Sequence, residues 1–310
     1  MESAVSVTHE VGTALAEGRP VVGLESTIFS HLGLPSPANV DALDRCLAAV
    51  RATGAVPAIT AVLDGVARVG LEPTEHDRIL GPAHKTADRD LPVALAQSWE
   101  VGATTVSASL RLCAAAGVQV FATGGIGGVH HGAEISGDVS ADLPTIAKLP
   151  VVTVCAGAKS FLDLGRTIEW FETHGVPVLG WRTEMFPAFY APASPFPVAH
   201  RVETADQVAD IVGCQRTLGQ LGGVIVAAPI PAEHALDWDE LEAARRRALA
   251  EADSQGLAGP AVTPFVLGRL GDATGGRSIP ANLALAENNA RIGAEIAWAL
   301  ACDPRHTRGE

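Results

Sequence analysis

Lysine and cysteine are scarce in this sequence, and long apolar runs are missing. Only three lysines occur (Lys85, Lys148 and Lys159), and 22 basic residues stand against 35 acidic ones, so the 310-residue chain has a formal charge of −13. Proteins that bind nucleic acids or anionic membranes without sequence preference need clustered positive charge, so this balance argues against both classes. No window of about 18 apolar residues occurs, which predicts that nothing in the chain spans a membrane.

The five cysteines are widely spaced, and no C-x-x-C pair occurs. They are Cys46, Cys113, Cys155, Cys214 and Cys302. Their odd number and their spacing argue against a disulfide framework and a structural zinc site, and they favour a reducing compartment. The N-terminus is acidic and lacks the apolar core of a secretory signal. We therefore expect a cytoplasmic protein.

What the sequence does contain indicates a folded α/β domain. Hydrophobic residues make up 47% and charged residues 18%, which excludes an intrinsically disordered chain. Short apolar runs alternate with amphipathic stretches, the pattern of an α/β fold with a largely parallel or mixed sheet. No linker or repeat divides the chain, so we expect one domain over residues 1–310, with a helical C-terminal part packed against it.

Six apolar segments and six amphipathic segments carry this prediction. The predicted strands are Val21–Leu24, a hairpin over Pro57–Val69 that turns at Asp64-Gly65, Val118–Ala122, Val151–Cys155, Val176–Trp181 and Gly223–Ala228. The predicted helices are Pro37–Thr53, Leu91–Glu100, Thr105–Ala116, Ser160–His174, Ala205–Leu218 and Ala281–Ala301. Ligands of open α/β sheets collect at the carboxyl ends of the strands, so polar residues directly after these runs are the candidates for a site.

Two such clusters come after the first and third of these strand segments. Glu25 comes directly after Val21–Leu24 and is either a solvated carboxylate or a general acid/base whose pKa an apolar wall raises. Gly124–Gly128 comes after Val118–Ala122 and matches neither G-x-G-x-x-G nor the phosphate loop of nucleotide hydrolases. Its glycines are either an anion nest that suits a small phosphate or a tight loop that packs against a neighbour.

Asp138, Ser140 and Asp142 form a third cluster. If the segment is helical, the two carboxylates share one face at i, i+4 and could bind a hard divalent cation with water completing the shell. The alternative is a helix N-terminus with Ser140 or Asp142 as its cap or first-turn acid, and the spacing alone favours it.

Lys159 is the most informative single residue. It follows the predicted strand Val151–Cys155 and a short turn, and it is predicted to open the helix Ser160–His174. The positive end of the helix dipole and partial burial both disfavour a charged amine, and a neutral amine is what a Schiff-base nucleophile requires. The alternative is a lysine that reaches into solvent.

The histidines and asparagines near these segments are best explained by ordinary structural roles. His130 and His131 lack the spacing of zinc ligands, and isolated histidines are more often hydrogen-bond partners. Asn282 lies near the predicted start of the C-terminal helix, and the adjacent Asn288 and Asn289 cannot face the same way. Capping and solvated amides are the favoured interpretation of all three.

Taken together, these segments resemble the pseudouridine-5′-phosphate glycosidase family in order and spacing over nearly the whole chain. The matching segments are Leu24–His31, Gly54–Gly65, Arg89–Pro92, Gly102–Ser109, Val120–Glu134, Asp138–Leu143, Val154–Val178, Phe186–Tyr190, Ala227–Asp237, Val262–Leu267, Thr274–Ser278 and Asn288–Arg291. Three departures from the family pattern are Leu32 directly after the histidine, Asp88 in the segment around Lys85, and Met185 in place of an acidic residue. Asp88 adds negative charge near the expected phosphate site.

The resemblance implies an activity, a fold, a cofactor and an assembly. The activity is the reversible cleavage of pseudouridine 5′-phosphate to uracil and ribose 5-phosphate, a lyase reaction with glycosidase character. The fold is a three-layer α/β/α domain with a central mixed sheet. The cofactor is a divalent metal, typically Mn²⁺, the assembly is a homotrimer, and the partners are small molecules rather than nucleic acid or membrane.

The resemblance also implies roles for individual residues. Lys159 matches the nucleophile, Glu25 the proton donor and Asp138 the metal ligand. The substrate-contacting positions are Lys85, Val106, Thr123, His130, Ser140, Ala141, Asp142 and Asn282. Attack by the Lys159 amine would open the sugar ring, and formation of an imine with the opened ribose would let the uracil carbon depart once it is protonated.

Two other functions remain open from the residues themselves. A Schiff-base aldolase or lyase that acts on another sugar phosphate would use Lys159 equally well. A non-catalytic phosphosugar-binding protein would bind its ligand without turnover, and the complete set of candidate catalytic residues argues against it.

Overall fold

Strands and helices alternate along residues 5–257 and 262–302, which are the residues described in a computed structural model of the chain. The strands are β1 Val5–Val7, β2 Val21–Leu24, β3 Val56–Leu63, β4 Val66–Val69, β5 His84–Thr86, β6 Val101–Thr104, β7 Val120–Ala122, β8 Val152–Cys155, β9 Val178–Trp181, β10 His200–Val202 and β11 Val224–Ala227. The helices are α1 His9–Ala16, α2 Ala38–Arg51, α3 His76–Leu80, α4 Leu91–Ala96, α5 Val106–Ala116, α6 Ala133–Ser136, α7 Asp142–Lys148, α8 Leu164–Thr173, α9 Ala205–Thr217, α10 Trp238–Ser254, α11 Val262–Ala273 and α12 Ser278–Cys302.

The strands join in one mixed sheet that is mostly parallel. Its order is β1-β4-β3-β2-β7-β8-β11-β9-β10, and β6 pairs with β3 and with β5. The long strand β3 changes partners along its length: Val56–Ile59 runs parallel to β2, whereas Thr60–Leu63 is antiparallel to β4. In the parallel part, Val22 of β2 lies opposite Val120 of β7. This arrangement confirms the predicted mixed sheet.

Helices cover both faces of the sheet, which is why its central strands are apolar and buried along their whole length. On one face α12 packs on β2, β7 and β8 and also contacts α2 and α9. On the other face α5 lies so close to β2 that a Cβ at Gly23 would be 2.3 Å from the Cys113 sulfur. These two helix layers and the sheet between them confirm the predicted three-layer fold.

The C-terminal part is helical, as predicted. Helices α10 and α11 pack against each other, and α11 contacts α12. The predicted helix Ala281–Ala301 is α12, which extends to Ser278–Cys302. Among the helices of the described chain, none combines the length and the apolar character that a membrane crossing requires.

The hairpin prediction is confirmed, whereas the strands β1, β5, β6 and β10 were not predicted. Asp64 and Gly65 both have positive φ, at 51° and 72°, which is the geometry of the tight turn that Asp-Gly favours. The helix predicted over Leu91–Glu100 ends at Ala96, and Val101–Thr104 is strand β6. This four-residue run shows no alternation, and its conformation is set by its pairing with β3 and β5.

Candidate active site

Three neighbouring strands end at the site. In the sheet order β2 lies beside β7 and β7 beside β8, all parallel, so their carboxyl ends meet at one edge. Glu25 follows β2, Thr123 follows β7, and the turn after β8 leads to Lys159. The topology therefore brings together residues that lie far apart in the chain, at the edge where ligands of such sheets bind.

Glu25 is a buried carboxyl rather than a solvated one. Its exposed fraction is 8%, and its Oε1 atom accepts a short hydrogen bond from the Thr123 hydroxyl. Burial raises the pKa of Glu25, while the charge of Lys159 and the Thr123 hydroxyl oppose that rise. A carboxyl with a raised pKa holds its proton at higher pH and can donate it, so Glu25 suits general acid catalysis.

Lys159 lies in a loop, not at the start of a helix. Its backbone N–H donates to the carbonyl of Ile126 at 3.0 Å, and its own carbonyl accepts from Leu162 at 3.0 Å. Helix α8 begins at Leu164, capped by the Asp163 side chain, so the prediction of a helix from Ser160 is wrong at its start. The helix dipole therefore does not act on this amine as the sequence suggested, because the effect is confined to the first turn.

Lys85 completes the charged part of the site. It lies on β5 opposite Ala103 of β6, and Ala103 in turn lies opposite Ala61 of β3. Partial desolvation, followed by the charge of Lys159, lowers the pKa of Lys85, while Asp142 and Glu25 oppose this. The extra negative charge expected from Asp88 is neutralised by Arg111, which forms two hydrogen bonds of 2.9 Å to its carboxylate.

Asp142 holds two backbone segments together. Its carboxylate is 7% exposed and accepts from the backbone N–H of Ser107 at 3.0 Å and of Gly127 at 2.8 Å. It begins α7, whereas Asp138 lies four residues before that helix. Asp138 and Asp142 therefore do not share a helical face, and Asp142 is a first-turn acid of α7, which confirms the interpretation that the spacing favoured.

The glycine loop after β7 is packed by its neighbours. A Cβ at Gly125 would lie 2.5 Å from the Phe189 ring, and one at Gly127 would lie 2.1 Å from the Ser140 hydroxyl. The N–H of Ile126 donates to the carbonyl of Gly157 at 3.1 Å, so it is not free for an anion. These contacts favour the tight-loop interpretation over an anion nest for this part of the loop.

Asp138 and His130 lie together on the far side of this loop. The backbone N–H of His130 donates to the Asp138 carbonyl at 3.1 Å, and His130 Nδ1 lies 3.8 Å from Asp138 Oδ2. Within residues 5–257 and 262–302 no three His, Cys, Asp or Glu side chains are grouped to hold a metal. A divalent cation that keeps several waters needs only one or two carboxylates, and the Asp138 side chain is 42% exposed, so it fits as a single protein ligand.

Comparison with known proteins identifies the family. The profile of the family described as indigoidine synthase A like protein matches residues 10–299. The chain belongs to the indigoidine synthase A-like family. A pseudouridine-5′-phosphate glycosidase from Sorangium cellulosum is 48% identical over 299 residues, covering 96% of this chain and 93% of the relative. One from Staphylococcus aureus is 45% identical, covering 97% and 98%. These relatives confirm the resemblance seen in the motifs.

Two solved structures of similar proteins share the fold. The prealnumycin C-glycosynthase AlnA, solved in complex with ribulose 5-phosphate, is 37% identical, has a TM-score of 0.90, and is matched over 96% of this chain and 97% of its own. An indigoidine synthase A-like protein from Thermotoga maritima is 34% identical, has a TM-score of 0.86, and is matched over 96% of both chains.

The remaining positions carried over from the family resemblance lie on elements around this site. Val106 is the buried first residue of α5, and Ser140 accepts from the backbone N–H of Asp142 at 3.2 Å. The carbonyl of Ala141 accepts from the Thr145 hydroxyl at 2.9 Å. Asn282 is near the start of α12, and its buried Oδ1 atom lies beside Gly124. Their contact with substrate stays a prediction.

The sequence analysis did not identify Asn289 as a residue that contacts the site. Its side chain is fully buried and donates to the carbonyl oxygens of Thr123 and Gly124. A signal was present, because Leu285, Asn289 and Gly293 recur every four residues along the buried face of α12. An amide in the middle of an apolar stripe indicates a buried hydrogen bond rather than a solvated group.

The Gly157→Ala substitution should destabilise the protein more than the same change at Gly175. Both glycines have positive φ, at 78° and 66°, so an alanine in this left-handed conformation costs about 1–2 kcal/mol of stability at either position. A Cβ at Gly157 would also lie 2.1 Å from the Pro187 carbonyl oxygen, whereas one at Gly175 has nothing within 4 Å. Urea unfolding of the two variants measures the difference, and equal midpoints would contradict the close approach.

Proposed function

We propose that this chain cleaves the carbon–carbon glycosidic bond of pseudouridine 5′-phosphate, reversibly, to give uracil and ribose 5-phosphate. The named relatives are pseudouridine-5′-phosphate glycosidases matched over nearly their full length. The structural neighbour AlnA is named a C-glycosynthase and was solved with a pentulose phosphate. Both names refer to carbon-linked sugars or sugar phosphates, the substrate class proposed for this chain.

One observation carries the proposal. Glu25 follows β2 and Lys159 follows the turn after β8, and these strands end on either side of β7 at one edge of the sheet. The residues interpreted from the sequence as nucleophile and proton donor thus lie at the same edge, where the charges of Lys159 and Lys85 both oppose the rise of the Glu25 pKa. An amine and a carboxyl in this relation can divide nucleophilic and acid–base roles between them.

The proposed reaction begins at the anomeric carbon. The Lys159 nitrogen bonds to C1′ while the C1′–O4′ bond breaks, and the released ring oxygen takes a proton from Glu25. The nitrogen lone pair then forms the C1′=N bond as the bond from C1′ to C5 of uracil breaks. The bonding pair passes to C5, which takes a proton. Addition of one water to the iminium releases open-chain ribose 5-phosphate and restores the amine.

Three proton transfers in this scheme fall to Glu25. It gives one proton to the ring oxygen, recovers one from the lysine nitrogen, and gives one to C5 of uracil. The Thr123 hydroxyl donates to Oε1 of Glu25, which leaves Oε2 free to face the substrate. Because carbon is a poor leaving group, positioned protonation of C5 is the step for which the enzyme must supply most assistance.

Phosphate binding is proposed for the cationic side of the site. Lys85 and Lys159 both lie near Glu25, and Lys85 is the one of the two that the covalent step does not use. Binding energy from the phosphate would hold C1′ against the Lys159 amine and so lower the entropic part of the barrier.

A divalent cation held by Asp138 is also part of the proposal, as is the homotrimer implied by the resemblance. When bound, such a cation supplies positive charge that balances a phosphate or orients sugar hydroxyls. The carboxylate of Asp138 would hold it, with His130 beside the carboxylate. Light scattering of the purified protein measures the assembly, and a monomer would contradict the trimer.

Uracil release from pseudouridine 5′-phosphate is the decisive assay. We expect the wild-type chain to release uracil and ribose 5-phosphate in equal amounts, separated by liquid chromatography. Treatment with a chelator should lower the rate, and added Mn²⁺ should restore it; an unaltered rate would contradict the metal. Inertness toward this substrate, together with turnover of other sugar phosphates, would instead support an aldolase or lyase of different specificity.

A further inference from the structure

Asn289 holds the turn that comes after β7. It is 0% exposed, in the middle of α12, on the side of that helix that faces the sheet. Its Nδ2 group donates to the carbonyl oxygen of Thr123 at 2.8 Å and to that of Gly124 at 3.2 Å. One side chain therefore uses both of its amide hydrogens on two consecutive carbonyls of the same turn.

Asn289 binds the backbone of Thr123, and the side chain of Thr123 in turn binds Glu25. The Thr123 hydroxyl donates to Glu25 Oε1, and its direction depends on the orientation of the Thr123 backbone. Strand β7 ends at Ala122, so Thr123 lies just beyond it, although its N–H still donates to the Val154 carbonyl at 3.0 Å. The β8 side thus fixes the N–H of Thr123, and Asn289 fixes its carbonyl.

Burying an asparagine at this position carries a free-energy cost, which indicates that its hydrogen bonds have a specific role. The Oδ1 atom of Asn289 is buried and accepts no hydrogen bond from the described residues. An unsatisfied buried acceptor is unfavourable, and a leucine of similar volume would fill the space without it. The two donor bonds to the turn are the feature that leucine could not supply.

We infer that Asn289 is a positioning residue for Glu25, because it fixes the Thr123-Gly124 turn and so fixes the hydroxyl that sets the direction of the Glu25 carboxyl. The catalytic part of this inference rests on the proposed function, in which Glu25 is the proton donor. The geometric part does not, since the hydrogen bonds from Asn289 to the turn and from Thr123 to Glu25 are present without substrate.

A substrate-free titration tests the geometric part. The groups that face Glu25 are Lys159, Asp142, Lys85 and the Thr123 hydroxyl, and its charge also acts on the buried thiol of Cys46. NMR of protein with ¹³C-labelled glutamate carboxyls follows the titration, and the Glu25 signal is the one missing from a Glu25→Gln variant. The Thr123 bond opposes the rise of the Glu25 pKa, so weakening that bond should move the midpoint upward.

Three variants give the comparison. Asn289→Leu and Thr123→Val should each raise the Glu25 midpoint by about 1 pH unit, because each weakens or removes a hydrogen bond to the ionised form. Asn288→Ala is the matched control, since its amide donates to the Pro229 carbonyl at 3.3 Å and not to the Thr123-Gly124 turn. We expect it to titrate like the wild type.

Kinetics test the catalytic part. In the uracil-release assay Asn289→Leu should lower kcat between about 10-fold and 100-fold and leave KM within about twofold, because a misdirected acid affects the chemical step more than binding. Asn288→Ala should keep both constants. A purely structural role for Asn289 would lower the thermal midpoint without moving the Glu25 titration.

Each outcome decides a separate point. An unaltered Glu25 midpoint in Asn289→Leu, with a raised midpoint in Thr123→Val, would overturn the inference. If Asn289→Leu does not fold, Asn289→Ala takes its place, because alanine is small enough for the site, carries no charge and cannot donate to the two carbonyls. A wild-type chain that releases no uracil, but whose Glu25 titration responds to Asn289→Leu, would contradict the proposed function and leave the positioning role intact.

Discussion

The Lys159→Ala variant should release uracil from pseudouridine 5′-phosphate at least about 10³-fold more slowly than the wild type, because it lacks the only group proposed to bond to the sugar. Substrate binding should persist, since Lys85 and the rest of the pocket remain. Liquid chromatography of uracil measures the rate. Residual activity within tenfold of the wild type would contradict a covalent role, because a tenfold change in rate corresponds to only about 1.4 kcal/mol of activation free energy.

Trapping with borohydride identifies the amine directly. Wild-type protein incubated with ribose 5-phosphate and borohydride should gain one reduced adduct, and mass spectrometry of its peptides should locate it on Lys159. The competing site is Lys85, whose lowered pKa also makes it a better nucleophile than an ordinary lysine. The experiment therefore distinguishes two amines that share one site, and an adduct on Lys85 would reassign the nucleophile.

Lys148→Ala is the matched control for both experiments. Lys148 is exposed at the end of α7, and of the three lysines in the chain it is the one without a proposed role in the site. Its removal should change neither the rate of uracil release nor the adduct. A loss of activity in this variant would show that the assay responds to charge removal in general.

The Glu25→Gln variant should lose uracil release and, at the same time, be more stable than the wild type at alkaline pH. An amide cannot supply the protons for the ring oxygen and C5, so the rate should fall by about 10²–10⁴-fold. Imine trapping on Lys159 should persist at least in part, because attack of the amine on open-chain ribose 5-phosphate does not require uracil to leave.

The stability change arises from the raised pKa of the buried carboxyl. The folded state binds the Glu25 proton more tightly than the unfolded state, in which the pKa is near its ordinary value of 4.5. The contribution of Glu25 to stability is therefore fully present below that value and declines as pH rises through the higher folded value. Glutamine carries no charge at any pH and escapes this decline.

Thermal unfolding across pH measures the effect. The two proteins should unfold at similar temperatures near pH 4, and the glutamine variant should unfold at increasingly higher temperature than the wild type as the pH rises above 4.5. Glu172→Gln, at an exposed position of α8, is the control and should behave like the wild type throughout. A Glu25→Gln variant that is less stable than the wild type at alkaline pH would contradict the buried, proton-retaining carboxyl.

The two residues of the proposed catalytic pair could be selected as candidates because each comes soon after a buried apolar run. Val21–Leu24 and Val151–Cys155 are continuous apolar segments, so the polar residues after them must lie at the ends of strands in any parallel sheet. The strand β2 has the predicted bounds, and β8 differs by one residue. Position along the chain was enough to select Glu25 and Lys159.

The supporting residues were not predictable in the same way. Asp142 acts through backbone N–H groups of Ser107 and Gly127, which no sequence pattern connects to it. Asn289 acts across 166 residues on the carbonyl of Thr123. The start of α8 was also misplaced, because four residues after Lys159 continue the loop up to the Asp163 cap. The bonds of Asp142 and Asn289 are contacts between distant segments, and local propensity carries no information about such contacts.

The sequence by itself determined the alternation of buried strands and helices and the two candidates for the chemistry, because these depend on the periodicity of apolar residues and on the polar residues at the end of each apolar run. The family followed separately, from the resemblance of the motifs along the chain. Only the tertiary structure decided that Glu25 is buried and proton-retaining, that the Thr123 hydroxyl directs it, and that the glycine loop is packed. The physical reason is that burial and hydrogen-bond direction arise from how β2, β7 and β8 lie side by side beneath α12, and that arrangement exists only once the sheet has formed.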